Sequence, residues 1–191
     1  MTITFKVFTC NLPSDKKNNC PKDFEAFELF ENIESHEQTF LNEMTYEAVF
    51  WRDKINRPSI EEALQLPFFS NIIDSLGERF GDIAAIAYDD EKKVGAAYIR
   101  LCEEQNAFNG FIHEDIPIVV IAIKSDYQGR GIGISLMETL FKVAAMHDFP
   151  KLSRSVAKDN YALKLYRRVG FSVYEERDDS FLMLREINTF R

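Results

Sequence analysis

Cysteine, basic charge and long apolar runs are all scarce in this 191-residue chain, and each scarcity excludes something. The three cysteines, Cys10, Cys20 and Cys102, are odd in number and show no CxxC spacing. A disulfide framework and a cysteine zinc site are thereby excluded, and reduced thiols in a cytoplasmic protein are expected. The one apolar start, Ile3–Phe8, is short and carries Lys6. It is too short for a signal-peptide core or a membrane span and reads as a first strand, so no membrane partner is expected. Acidic residues outnumber basic ones, 31 Asp+Glu against 23 Lys+Arg, for a net charge of -8. That speaks against nucleic acid, whose phosphates select a basic face. It also means that an anionic ligand must be held by local features and not by the overall field. Internal repeats and low-complexity tracts are missing as well, so 1–191 reads as a single domain.

The pattern along the chain is that of an α/β protein. Thr2–Thr9 reads as a strand, and Asn11–Pro21, with Pro13 and Pro21, as a loop. From Asp23 to Trp51 the spacing is helical, first through Phe24, Phe27 and Phe30, then through Phe40, Met44, Ala48 and Trp51. Pro58 opens a further helix to Leu66, which Pro67 interrupts. Ile83–Tyr88 and Val94–Leu101 form a hairpin about an acidic turn. Phe111–His113 reads as a short strand and Ile116–Lys124 as a buried one. A long helix covers Gly131–His147, Leu152–Val156 is the next strand, and Asn160–Val169 is a helix ended by Gly170 at C′. Phe171–Glu175 and Phe181–Leu184 close the chain as a hairpin. The fold class is therefore α/β, with a mixed, twisted sheet of six or seven strands flanked by helices on both faces.

The most informative stretch is Gln128-Gly129-Arg130-Gly131-Ile132-Gly133, which joins the buried strand to the long helix. A strand feeding a glycine turn and a helix N-terminus is an anion site. N–H groups point outward there, the helix dipole places roughly +0.5 charge at that end, and glycine leaves no Cβ in the way. A P-loop needs a Lys after its last glycine, and Gly133 is followed by Ile134. A dinucleotide GxGxxG started at Gly129 ends on Ile134, and started at Gly131 it ends on Leu136, so that reading fails too.

Gln128–Gly133 resembles the Q/R-x-x-G-x-G/A turn of the GNAT N-acyltransferase superfamily. Asn160-Tyr161-Ala162 with Leu165-Tyr166-Arg167-Arg168-Val169-Gly170-Phe171 resembles the family's downstream "N-x-A … LY-x-x-x-GF" segment, in the right order and one strand away. Gly95-Ala96-Ala97-Tyr98-Ile99-Arg100 resembles the "GAAW-x-R" strand of one subgroup, and Tyr46-Glu47-Ala48-Val49-Phe50-Trp51 its early helix. The likeness centres on 83–187.

The resemblance implies a GNAT-like acyl-CoA fold, acetyl-CoA as cosubstrate, no metal, and transfer of an acetyl group to a primary amine of a small molecule or a protein. It assigns Gln128, Gly129, Arg130, Gly131, Ile132 and Gly133 to the pyrophosphate. The strand backbone at Ile121 and Ile123 takes the pantetheine arm, and Asn160 either contacts CoA or caps its helix. Tyr166 is implied as the general acid for the leaving thiolate, against the alternative of a helix tyrosine packed with Leu163 and Val169. The subgroup's "PEL-x-IAV" strand reads here Pro117-Ile118-Val119-Val120-Ile121-Ala122-Ile123, so Ile118 stands where relatives carry a Glu that can act as base. His113, Glu114 and Asp115 lie just upstream as other bases or as a solvated loop. A non-catalytic acyl-CoA-binding protein thus stays open as the alternative function, and so does the oligomeric state, a homodimer included. Cys102 has no His at a suggestive spacing and reads as a buried thiol.

Overall fold

Alternation along the central strands decides the layering. In β3 (Ile83–Asp89), Ile83, Ala85 and Ala87 enter one apolar core, while Ala84, Ile86 and Tyr88 enter a second on the opposite face. A strand buried on both faces lies in the middle of a sheet covered by helices. The computed structural model, which describes residues 2–10 and 27–187, has that arrangement. Its sheet has eight strands in the order β2-β1-β3-β4-β5-β6-β8-β7. They are β1 (Ile3–Thr9), β2 (Phe27–Phe30), β3, β4 (Lys92–Arg100), β5 (Ile118–Ile123), β6 (Lys151–Ala157), β7 (Ser172–Glu176) and β8 (Ser180–Glu186). The pairs β1/β2 and β5/β6 are parallel, and the remaining pairs are antiparallel.

Among the described residues five helices cover the faces: α1 (Ser35–Val49), α2 (Ile60–Ala63), α3 (Pro67–Ile73), α4 (Ile132–Met146) and α5 (Ala162–Arg168). Leu136, Met137, Leu140 and Val143 of α4 are buried against Ala85, Ala97 and Val119 of the sheet. Phe40, Leu41 and Met44 of α1, with Phe69 and Ile72 of α3, lie against Ala84, Ala96 and Val120 on the other side. The alanines of β3 and β4 keep the sheet surface low, which lets bulky helix side chains seat closely. Among the described residues, no helix is long and apolar enough to cross a membrane.

The sequence reading needs correction at three places. Phe27–Phe30 is an edge strand pairing parallel with β1 through Phe5↔Phe27 and Phe8↔Phe30, not part of a helix, and the helix begins only at Ser35. Three-residue spacing of phenylalanines suits a helix, yet pairing with a partner remote in sequence overrides such local patterning. Residues 111–113 form bends and turns instead of a strand. The sheet has eight strands where six or seven were expected. Phe24, Cys20 and the loop read over 11–21 lie outside the described residues. Pro67 sits at N1 of α3, where its missing N–H costs nothing, and Ser59 caps α2 through a capping box with Glu62.

One charged pair is sealed in this core. Arg100, at the end of β4, is fully buried, and its Nε and Nη2 donate to Asp82 Oδ1 and Oδ2 at 3.0 and 2.7 Å. Its Nη1 donates to the carbonyls of Ile72 and Asp74, closing the C-terminal end of α3. Removing one partner strands the other charge in the core. Asp82→Ala is therefore expected to lower unfolding stability by about 3–5 kcal/mol in urea denaturation, far more than a surface carboxylate.

Candidate active site

The site begins where the sheet comes apart. β5 and β6 share a single register position, Ile118↔Ser153, with Ser153 N donating to the Pro117 carbonyl at 2.9 Å. Beyond it the two parallel strands diverge, and a cleft of about 670 Å³ opens between Ile121–Gln128 on one wall and Arg154, Asn160 and Tyr166 on the other. Strand parity says what faces this gap. Pro117, Val119 and Ile123 turn their carbonyls toward the β6 side, since these accept from Ser153 N, Arg154 Nη1 and Gln128 Nε2 respectively. Lys124, one residue on, turns the other way, its N–H donating to the Val94 carbonyl next to β4. Ile121 shares the parity of its odd-numbered neighbours, so its N–H and C=O point into the opening. Its side chain is buried in the core, as is that of Ile132.

The glycine turn follows directly on Gln128, which lines the cleft. Gly129 and Gly131 have φ of 75 and 85°, the left-handed region that other residues adopt at a cost, and a Cβ at either would meet nothing within 4 Å. Gly131 is the N-cap of α4, so the turn leads into the N–H groups of a 15-residue helix. Gly133 is different. A Cβ there would stand 3.2 Å from Leu165 Cδ2, so this glycine lets α4 approach α5. Arg130 lies over the Tyr127 ring at 5.1 Å. Gln128 is a brace, with Nε2 donating both to the Ile123 carbonyl and to Tyr161 Oη at 3.0 Å.

Tyr166 is 1% exposed, yet its side chain reaches the cleft wall. It meets Phe171 edge-on at 5.6 Å, and the Arg154 guanidinium lies 5.7 Å from its ring centre. Burial pushes its ionisation above the usual phenol range, with the Arg154 charge pulling the other way. The phenol therefore holds its proton at neutral pH. Asn160 Oδ1 accepts from Ala162 N at 2.8 Å one residue ahead of Tyr161, the N-cap of α5, and Asn160 lines the cleft.

Other groups named from the sequence stand apart. Ile118 is fully buried at the strand junction. His113, Glu114 and Asp115 are exposed, and His113 Nδ1 accepts from Asp115 N at 3.2 Å within its own loop. Cys102 is half-buried with its thiol ionisation raised by that burial, which suits an inert thiol. The cleft's carboxylates are Asp126, after β5, and two from α1: Glu43, and Glu47, which pairs with Arg57 at 2.8 Å. Glu43 and Arg154 carried no signal in the sequence, each being a charged residue within an ordinary segment, and Glu47 stood out only as part of the early-helix resemblance. A second cleft of about 850 Å³ reaches the same junction from the side of α3 and the 105–111 loop, sharing Trp51, Arg154 and Asn160 with the first.

Comparison with known proteins agrees with this geometry. Residues 81–173 match the family described as acetyltransferase (GNAT) domain. No curated protein sequence matches the chain. Among solved structures, PaiA N-acetyltransferase of Thermoplasma acidophilum, crystallised in complex with coenzyme A, is 14% identical with a TM-score of 0.62, over 97% of this chain and 99% of that one. A GNAT-family acetyltransferase of Streptococcus pneumoniae is 19% identical with a TM-score of 0.59, over 82% and 96%. The ribosomal-protein alanine N-acetyltransferase of Escherichia coli is 18% identical with a TM-score of 0.54, over 83% and 93%. At such identities the structural likenesses carry the fold alone. Residues 81–173 thus match the acetyltransferase (GNAT) domain family, and the chain shares the fold of GNAT-family acetyltransferases.

Proposed function

We propose that the chain transfers an acetyl group, or another short acyl group, from CoA to a primary amine by direct attack. The observation that carries this reading is the single-position junction of β5 and β6, which leaves the Ile121 backbone facing a cleft whose wall runs to Gln128, the residue that opens the glycine turn into α4. In this reading the pantetheine arm runs along Ile121 and Ile123 as an added strand. Because Gln128 already occupies the Ile123 carbonyl, Ile121 offers the main contacts. The pyrophosphate rests on N–H groups of Gly129, Arg130, Gly131, Ile132 and Gly133, and Asn160 offers its amide. The CoA bound in the Thermoplasma protein supports CoA as the ligand class.

Chemically, the amine nitrogen attacks the thioester carbonyl, an N–H near Ile121 or Ile123 polarises the carbonyl oxygen, and collapse of the tetrahedral intermediate breaks the C–S bond. The electron pair goes to sulfur, which takes the Tyr166 proton. The proton lost by the amine leaves through cleft water, with Glu43 and Glu47 as carboxylates on its wall. The acceptor, an amine of a small molecule or of a protein, enters through the second cleft to the shared junction at Trp51 and Asn160. Ile118 favours a second reading, an acyl-CoA-binding protein without turnover, because no proton acceptor stands at that strand position. A thiol-release assay with acetyl-CoA against a panel of amines separates the two, since free CoA appears only when transfer occurs.

CoA is expected to raise the melting temperature, because a ligand specific to the native state stabilises it by mass action. Gly131→Glu should abolish that rise, since a carboxylate opposes the phosphates and its backbone must hold φ near 85°. No shift at millimolar CoA in the native chain would count against the CoA site. Tyr166→Phe should lower kcat by roughly 10²-fold with CoA affinity nearly unchanged, the scale of a lost general acid. Steady-state kinetics on a working amine tests this, and full activity in that variant removes Tyr166 from the chemistry.

A further inference from the structure

Arg154 leaves β6 at the point where that strand parts from β5. Its Nη1 donates across the gap to the Val119 carbonyl at 2.9 Å, a carbonyl that a continuous parallel ladder would have paired with β6 backbone. Its Nε is buried with no hydrogen-bond partner, an expensive condition for a charged group and one that calls for a reason. The guanidinium faces the Tyr166 ring at 5.7 Å, and the residue lines both clefts. Among the groups that act on the phenol, Arg154 comes from β6 and Tyr161 from the segment ahead of α5, and Arg154 is the cation.

We propose that Arg154 is a positioning residue for Tyr166, pinned to β5 so that its charge stabilises the phenolate left when the tyrosine proton passes to the departing sulfur. This rests on the acyl-transfer reading above. In that step the C–S bond breaks with its electron pair on sulfur, the Tyr166 O–H proton moves to sulfur, and a phenolate remains beside the guanidinium. The proton released by the amine nitrogen then restores the phenol through cleft water, so Tyr166 ends the cycle unchanged. The unpartnered Nε leaves the guanidinium charge incompletely compensated at rest, which favours a negative charge arising on the facing ring.

A double-mutant cycle tests the coupling. Arg154→Met should lower kcat about tenfold in the native background and less than twofold in the Tyr166→Phe background, with KM for acetyl-CoA little changed in both. Arg154→Lys, which retains a cation, should recover most of the loss. Equal fold-losses in the two backgrounds overturn the proposal and leave Arg154 as a strut for the strands. A second measurement needs no turnover. The ring carbon resonance of Tyr166, identified by its loss in Tyr166→Phe, should begin to titrate at higher pH in Arg154→Met than in the native chain. An unmoved or earlier titration overturns the proposal. A native chain that releases no CoA from any amine defeats the acyl-transfer reading instead, and the ring titration then still decides whether Arg154 governs this phenol.

Discussion

The candidate site depends on two parallel strands that fail to stay together. β6 is held by β8 along Lys151–Ala157, and β5 by β4 along Ile118–Ile123, but between the two there is only Ile118↔Ser153. Strands twist, and two well-paired half-sheets joined at one point diverge from it. At the closed end the chain wedges itself between them. Gly110 has φ of 116°, and a Cβ there would meet Ile118 Cγ2 at 2.8 Å and Ser155 N at 3.1 Å, so only glycine lets that loop pass. At the open end the unpaired edge of β5 is answered by side chains, Arg154 at Val119 and Gln128 at Ile123. A strand edge left open in this way is a template for an extended ligand, and the fold limits it to the length of a few residues.

The two cores make this opening affordable. One sits between α4 and the sheet, the other beneath α1 and α3, and both are continuous across β3 and β4. The buried Arg100–Asp82 pair ties the end of α3 to the segment entering β3, so the helices of the second cleft rest on a fixed base. Overall charge gives no help in attracting an anion, with 31 acidic residues against 23 basic. In the proposed CoA site that work falls to oriented N–H groups at the head of α4, which act over a few ångströms and are indifferent to the distant field.

What could be read from the sequence follows the range of the interactions. The turn at Gln128–Gly133 was legible because positive φ at Gly129 and Gly131 is a local demand that selects glycine. The hairpin of β3 and β4 and the helices α4 and α5 were legible from periodicity. β2 was not, because Phe27–Phe30 becomes a strand only through its parallel partner β1. The parting of β5 from β6 was equally invisible, since no residue pattern marks a ladder that stops after one rung. Arg154, Glu43 and Glu47 were missed for the same reason. They line the same cleft from elements remote in sequence, and no pattern within α1 or β6 marks them as cleft residues. Gly133 shows the converse, a residue assigned to the turn by motif whose structural demand is the approach of Leu165.

The state of Tyr166 is the last consequence of the burial. A general acid must keep its proton until negative charge appears on the leaving atom, and then release it readily. Burial alone secures the first requirement, because a phenolate inside the core is poorly solvated, but it works against the second. A guanidinium facing the same ring offsets part of that penalty without removing the proton at rest, and in this structure the burial effect exceeds the Arg154 effect. The ordering matters. Were the guanidinium dominant, Tyr166 would ionise early and become a phenolate unable to protonate sulfur. Were it missing, the phenol would resist giving up its proton to a thiolate. Under the proposed acyl transfer, the balance between a desolvating core and a strand-bound cation is what would suit this tyrosine to a leaving group that is already a good one.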